Sequence, residues 1–422
     1  MAKKSPRKKK SKNKIVVLFS FLIAAFLFSA AYFDLPYLGQ AIRQIAGPFF
    51  AEKITPEDIK KNYEENRVKI LIVPGHDDHS FGTQYKNIKE ADLNAALGSD
   101  LAEFFRNDKK FESFITREKT GGYQSWFWKY FEENKPAIRQ FRSDSQKKMR
   151  DALKLGGVKE NNIVYHNDAS DEDSLKLYAI NKWANDNNID IVLHIHFNDY
   201  PGRNINRKGE YSGFSVYIPE KQLPNHRSSS ELASALKSRL EKYFPKSDLP
   251  QEKEMDALIE DQELIAVGSN ASRDGASVLI EYGYIYEPPL ENAQTRPLLL
   301  KELAFQTYLG IKSFFGQTTA LDGDQTTLLP HTWSSPLKKD AKASVDAMKL
   351  QRALHQEGLY PPDGKELSDC PINGVFGNCT KAAVMNFQQK YKYDILLPEK
   401  QTEPTGFVGP NTIKKLNELY GE

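Results

Sequence analysis

The sequence predicts an α/β protein whose mostly parallel sheet carries helices on both faces. A small all-α domain of three helices follows it, and an N-terminal transmembrane helix precedes it. Three observations carry that expectation. Apolar, β-branched runs recur at VKILIVP (68–74), IDIVLHI (189–195), GFSVYI (213–218) and ASVLIEY (276–282). Each is apolar at successive positions, as a strand buried on both faces must be. Helical segments alternate with them: EADLNAALGSDLAEFF (90–105) places Leu93, Leu97, Leu101 and Phe104 at helical spacing, and SSELASALKSRLEKYF (229–244) and RPLLLKELAFQTYLGIKSFF (296–315) share that period. Strand and helix in alternation build a sheet covered on both sides. The third observation is IVVLFSFLIAAFLFSAAYF (15–33), nineteen residues without a charge.

From the N-terminus, residues 1–14 hold eight basic groups and no acid, and read as a cytoplasmic tail. Residues 15–33, as a helix rising 1.5 Å per residue, span about 28 Å, close to a bilayer's hydrocarbon core. The basic flank stays inside, so everything after Asp34 is extracytoplasmic, in the cell wall or periplasm. The rival reading is a signal peptide cleaved near residue 31, after Ser29-Ala30-Ala31, which makes the body secreted. Residues 34–65 form a stalk, 66–316 the α/β domain, 317–340 a linker rich in Thr, Asp, Ser and Pro, and 341–422 the helical domain.

Composition excludes other classes. With 422 residues, 40% of them hydrophobic, and 24 Phe and 20 Tyr, the chain fills two or three real cores. The net charge of +2 conceals a mildly acidic body, 50 basic against 56 acidic groups over residues 15–422. Nucleic acid is therefore not an expected partner. Cys370 and Cys379 are the only cysteines, and outside the cell they are expected to form one disulfide.

Titratable residues gather at strand ends, where open parallel sheets place their binding sites. His76 follows the first strand in VPGHDD, His196 closes another in LHIHFND, Glu281 ends a third in SVLIEYG, and Glu90 opens the helix EADLN. Two imidazoles and a carboxylate are usual ligands of a catalytic zinc, and a further carboxylate takes a proton from the water that such a zinc activates. His194, Asp77, Asp78 and His79 compete for these roles, and position alone leaves the choice open.

The wording of these segments is more specific. ILIVPGH (70–76), KEADLN (89–94), TR (116–117), NKWANDNNIDIVLHIHFND (181–199), GFSVYIP (213–219) and SVLIEYGYI (277–285) resemble the zinc-dependent N-acetylmuramoyl-L-alanine amidases. The resemblance implies hydrolysis of the amide between the lactyl group of muramic acid and L-alanine of the stem peptide. It implies one zinc per chain on His76, Glu90 and His196, with Glu281 as the catalytic carboxylate. Asn198 would orient a ligand or a substrate amide, and Arg273 would meet a peptide carboxylate. A zinc peptidase cutting within the stem peptide and a non-catalytic wall-binding protein are the alternatives.

Two departures from the family pattern stand out. Asp77-Asp78 replaces the glycines that usually follow the first histidine. An insertion of about 50 residues, roughly 118–173, carries YQSWFWKYF and a basic helix (139–154), and is either a wall or lid of the substrate groove or a packed addition. Autoinhibition, and an unidentified activator among the partners, stay open. LQRALHQEGLY (350–360), NGVFGNCTKAAVMNFQQKY (373–391) and TGFVGPNTIKKLN (405–417) resemble a three-helix peptidoglycan-binding domain. Peptidoglycan is thus the expected substrate and also the ligand of that domain, while residues 15–33 bind the membrane.

Overall fold

A computed structural model describes residues 51–161, 169–317 and 325–422. The tail, the 15–33 span, residues 34–50 of the stalk, residues 162–168 of the insertion and residues 318–324 of the linker lie outside the described residues. Among the described residues no helix is long and apolar enough to cross a membrane. Glu52–Lys148 and Glu160–Glu422 form one compact unit, described below. Met149–Lys159, the end of one helix and the turn after it, falls outside that unit.

The strands are β1 (Val68–Pro74), β2 (Gln84–Tyr85), β3 (Ile88–Lys89), β4 (Phe111–Ile115), β5 (Ile191–Asn198), β6 (Ser215–Pro219), β7 (Leu258–Asp261) and β8 (Ala276–Tyr284). The helices that matter here are α1 (Pro56–Glu65), α2 (Glu90–Arg106), α3 (Ser125–Lys154), α4 (Asp171–Asp186), α5 (His226–Leu240), α6 (Pro250–Glu254), α7 (Thr295–Phe314), α8 (Val345–Gln356), α9 (Asn378–Lys390) and α10 (Pro410–Tyr420). Six strands make the main sheet in the order β4-β1-β5-β8-β6-β7. β4, β1, β5 and β8 are parallel, whereas β6 runs antiparallel to β8 and takes β7 with it. The reversal follows from connectivity. Residues 199–214 return from β5 without a crossover helix, so β6 starts at the end where β5 stopped, while α5 lies between the parallel β6 and β7.

Alternate residues feed two cores, as the strand period requires. Ile70, Ile72, Leu193, Ile195, Val278 and Ile280 share one with Leu93, Leu97, Leu236 and Leu303 of α2, α5 and α7. Leu71, Val73 and Val192 share the other with Phe127, Phe131 and Ile138 of α3 and Leu175 and Tyr178 of α4. The aromatic stretch of the insertion is therefore packed structure covering the sheet's second face. β4 escapes the apolar-run criterion because, as an edge strand, it leaves Glu112 and Ser113 half-exposed.

The C-terminal helices contain a repeat that the sequence reading misses. Gln351 of α8 accepts from the amides of Asn373 and Gly374, and its Nε2 donates to Val375 O. Gln388 of α9 accepts from Thr405 and Gly406, and its Nε2 donates to Phe407 O. NGVFG and TGFVG are thus the same buried-glutamine turn used twice. Cys370 and Cys379 are bonded, as expected.

The stretch expected as a linker is packed where it is described. Trp333 is 1% exposed, donates its indole N–H to Asp346 O at 3.0 Å, and exchanges two 2.8 Å bonds with Asn417. The guanidinium groups of Arg239 and Arg352 lie 5.0 and 4.2 Å from the ring centre of Tyr243, and the Arg352 contact joins the helical domain to the α/β domain. Trp333→Ala is expected to cost about 3–5 kcal/mol by emptying this site, read as a fall in the denaturant midpoint of the full chain.

Candidate active site

The carboxyl ends of β1, β5 and β8 and the first turn of α2 meet at one cleft of 620 Å³. His76 leaves β1 with a φ of 63°, after Gly75 N has bonded to Ile195 O at 2.9 Å. Gly75 admits no side chain, because a Cβ there would lie 2.2 Å from the His196 ring. Arg117, wholly buried, ties the turn down by donating to Gly75 O at 3.2 Å and to Ala91 O at 3.0 Å.

Glu90 is the centre of the arrangement. Its side chain is 5% exposed, with Oε1 2.9 Å from His196 Nδ1 and Oε2 3.2 Å from His76 Nε2. The amides of Thr83 and Phe197 and the Asn94 side chain also donate to it. Gly82, at φ 73°, passes so close that a Cβ would meet Glu90 Oε2 at 2.2 Å. Burial pushes the Glu90 carboxyl up, but the charge of His76 and hydrogen bonds from both histidines hold it well below the carboxylate range. Burial pulls both imidazoles down; the charge and hydrogen bond of Glu90 reverse this at His76, while His196 stays lowered.

His76, Glu90 and His196 each offer a donor atom, and these lie within 4.8 Å of one another. Two imidazoles and one carboxylate at this separation, open to a cleft on the remaining side, match the donor chemistry of a catalytic zinc. His194 shares a strand face with His196 but is 1% exposed, with neither ring nitrogen hydrogen-bonded, and burial drives its pKa down to about 3. It stays outside the cluster. Asp77 is likewise committed elsewhere: it accepts from the amides of His79 and Ser80 and from Lys176 Nζ at 2.6 Å. Burial alone would raise this carboxyl, yet Lys176 and those amides hold it at about 2. Asp77 therefore shapes the loop, its charge matched by a lysine, and Asp78 stays at the surface near Arg117.

Glu281 is the register partner of His196 across β5 and β8 and lines the same cleft. Burial, and after it the charges of Glu90 and Glu252, push its carboxyl well up, and its Oε2 has no hydrogen-bond partner. A carboxyl so raised is suited to carrying a proton. Asn198 also lines the cleft and donates to Glu252 Oε1 at 2.9 Å. Arg273 does not. It is buried before the amino end of β8, bonded to Asn185 Oδ1 and Ile189 O, whereas Glu281 stands near the carboxyl end of that strand. The expected contact with a peptide carboxylate is replaced by a role in closing the base of the sheet.

Sequence reasoning missed Lys176 and Glu252. Lys176 left a signal, a lysine sharing a helix face with Ala179 and Ile180. Glu252 left none, since PQEKE has no apolar pattern.

The family model described as N-acetylmuramoyl-L-alanine amidase matches residues 70–313, and a peptidoglycan binding domain model matches residues 344–395. No curated protein matches the chain. Among solved structures, an N-acetylmuramoyl-L-alanine amidase from Clostridium difficile 630 is 17% identical, covering 61% of this chain and 100% of its own, with a TM-score of 0.35. The amidase Ami1 from Mycobacterium smegmatis is 14% identical, covering 59% of this chain and 97% of its own, with a TM-score of 0.37.

Gly82→Ala is expected to displace Glu90 and lower the rate of amide hydrolysis about 10–100-fold, the range for lost support of a key side chain of a site. The comparison is initial rate on a soluble muropeptide, with the melting temperature as control.

Proposed function

The chain belongs to the N-acetylmuramoyl-L-alanine amidase family and hydrolyses the bond between N-acetylmuramic acid and L-alanine in peptidoglycan; from that premise we propose that it does so with one zinc ion held by His76, Glu90 and His196. The observation that supports this most is the convergence of those three donors beside Glu281. Zinc bound there supplies a polarised carbonyl and a water whose pKa falls to about 7. Glu281 takes the proton of the attacking water and returns it to the departing amine of L-alanine. Glu90 is itself located by two backbone amides and Asn94.

The remainder of the chain brings this cleft to its substrate. Residues 15–33 anchor the protein in the membrane with the body outside, and residues 341–422 bind the wall. Two attachments raise the local concentration of substrate with no new contact at the cleft.

Digestion of purified peptidoglycan by the full chain, with zinc or with a chelator, tests the proposal through the masses of the products. The expected outcome is zinc-dependent release of stem peptides beginning with L-alanine, with intact glycan strands left behind. Peptides cut internally would replace the amidase by a peptidase. Retention on the wall without release would leave a binding protein.

A further inference from the structure

Glu252 is a carboxylate in an unusual place. It is 2% exposed, and Oε1 accepts from Tyr217 Oη at 2.6 Å and Asn198 Nδ2 at 2.9 Å. Neither donor is a cation, and Oε2 has no hydrogen-bond partner. Burying a carboxylate among neutral donors costs stability, so an orphaned buried oxygen calls for an explanation other than fold stability. The place of Asn198 supplies one. β5 slips its register between His196 and Asn198, an irregularity of the kind that re-aims side chains next to active sites. Asn198 thus lines the cleft two residues past His196.

The two ends of the Asn198 amide are held by groups of opposite character. Its Oδ1 accepts from Asp199 N at 2.8 Å, and its Nδ2 donates to Glu252. Turned over, the amide would set its oxygen against a carboxylate and its NH₂ against an N–H, so only one orientation is bonded. One of the two Nδ2 hydrogens is used by Glu252 and the other is left.

We infer that Asn198 is a substrate-binding residue, giving that remaining N–H to an amide carbonyl of the muramoyl peptide, and that Glu252 is the positioning residue that fixes its orientation. This rests on the reading of the cleft as the amidase site. It assigns Glu252 a function that no spacing in the sequence reveals, and it accounts for the buried charge. Tyr217 holds the same carboxylate oxygen from the β6 side, so Glu252 is itself located by the sheet.

A double-mutant cycle on the full chain tests the coupling. The rate constant kcat/KM on a soluble muropeptide is measured for wild type, Asn198→Ala, Glu252→Ala and the double variant, with zinc content and melting temperature alongside. Each single variant is expected to lose roughly tenfold, the worth of one hydrogen bond, and the double variant to lose no more than either. An additive loss of about a hundredfold, or an unchanged Glu252→Ala, overturns the inference. Where Glu252→Ala fails to fold, Glu252→Gln in the Asn198→Ala background replaces it, and any further loss there overturns the inference equally. Should wild type not cut the muropeptide at all, the parent reading fails; the same cycle in muropeptide Kd, by calorimetry, then decides the coupling separately.

Discussion

One buried carboxylate bonded to two imidazoles organises this molecule's chemistry. Glu90 has a cost to meet, because desolvating a carboxylate opposes its charge, and the surrounding groups offset that cost through four hydrogen bonds and the contact with His76. Everything near it is shaped by the need to approach closely. Gly75 and Gly82 have no side chain because the His196 ring and Glu90 Oε2 occupy that space. Arg117 spends its guanidinium on backbone carbonyls, pinning the turn that delivers His76. Asp77 and Lys176 hold the loop from the other side, linking it to α4 and so to the second core.

The sheet explains why such a cluster can be assembled from residues far apart in sequence. β1, β5 and β8 are neighbours and parallel, so their carboxyl ends lie side by side and His76, His196 and Glu281 need no long reach. The reversed pair β6 and β7 serves the same cleft differently, with Tyr217 on β6 meeting Glu252 on α6. The proposed catalytic side chains thus come from the parallel half of the sheet, and the proposed support of Asn198 in part from the antiparallel half. The helical domain is continuous with this body, through Trp333 and the contact of Arg352 with Tyr243.

Much of this was legible in the residues. The long doubly buried strands announce themselves by composition, and three of the four proposed site carboxylates and histidines sit at the ends of those strands, where the fold puts binding sites. What escaped did so for physical reasons. β4 and β7 are short edges with polar residues, so they carry no apolar run. Arg273 looked like a free cation upstream of a strand, yet it closes the base of the sheet, because periodicity does not report which end of a strand a loop faces. His194 and His196 share a face, and only depth in the sheet separates the buried one from the one that reaches Glu90. The insertion's aromatic residues gave no hint of which surface they cover until α3 was seen against Leu71 and Val73.

The division of labour between metal-holding and proton-carrying residues is the centre of the account, and metal stoichiometry tests it most directly. Elemental analysis of the purified full chain beside Glu281→Gln and His196→Ala, paired with hydrolysis rates, separates the two roles. The account predicts one zinc per chain in wild type and in Glu281→Gln, with hydrolysis only in the former, and loss of both zinc and hydrolysis in His196→Ala. An active wild type without zinc, or a Glu281→Gln variant that loses its zinc, would contradict it.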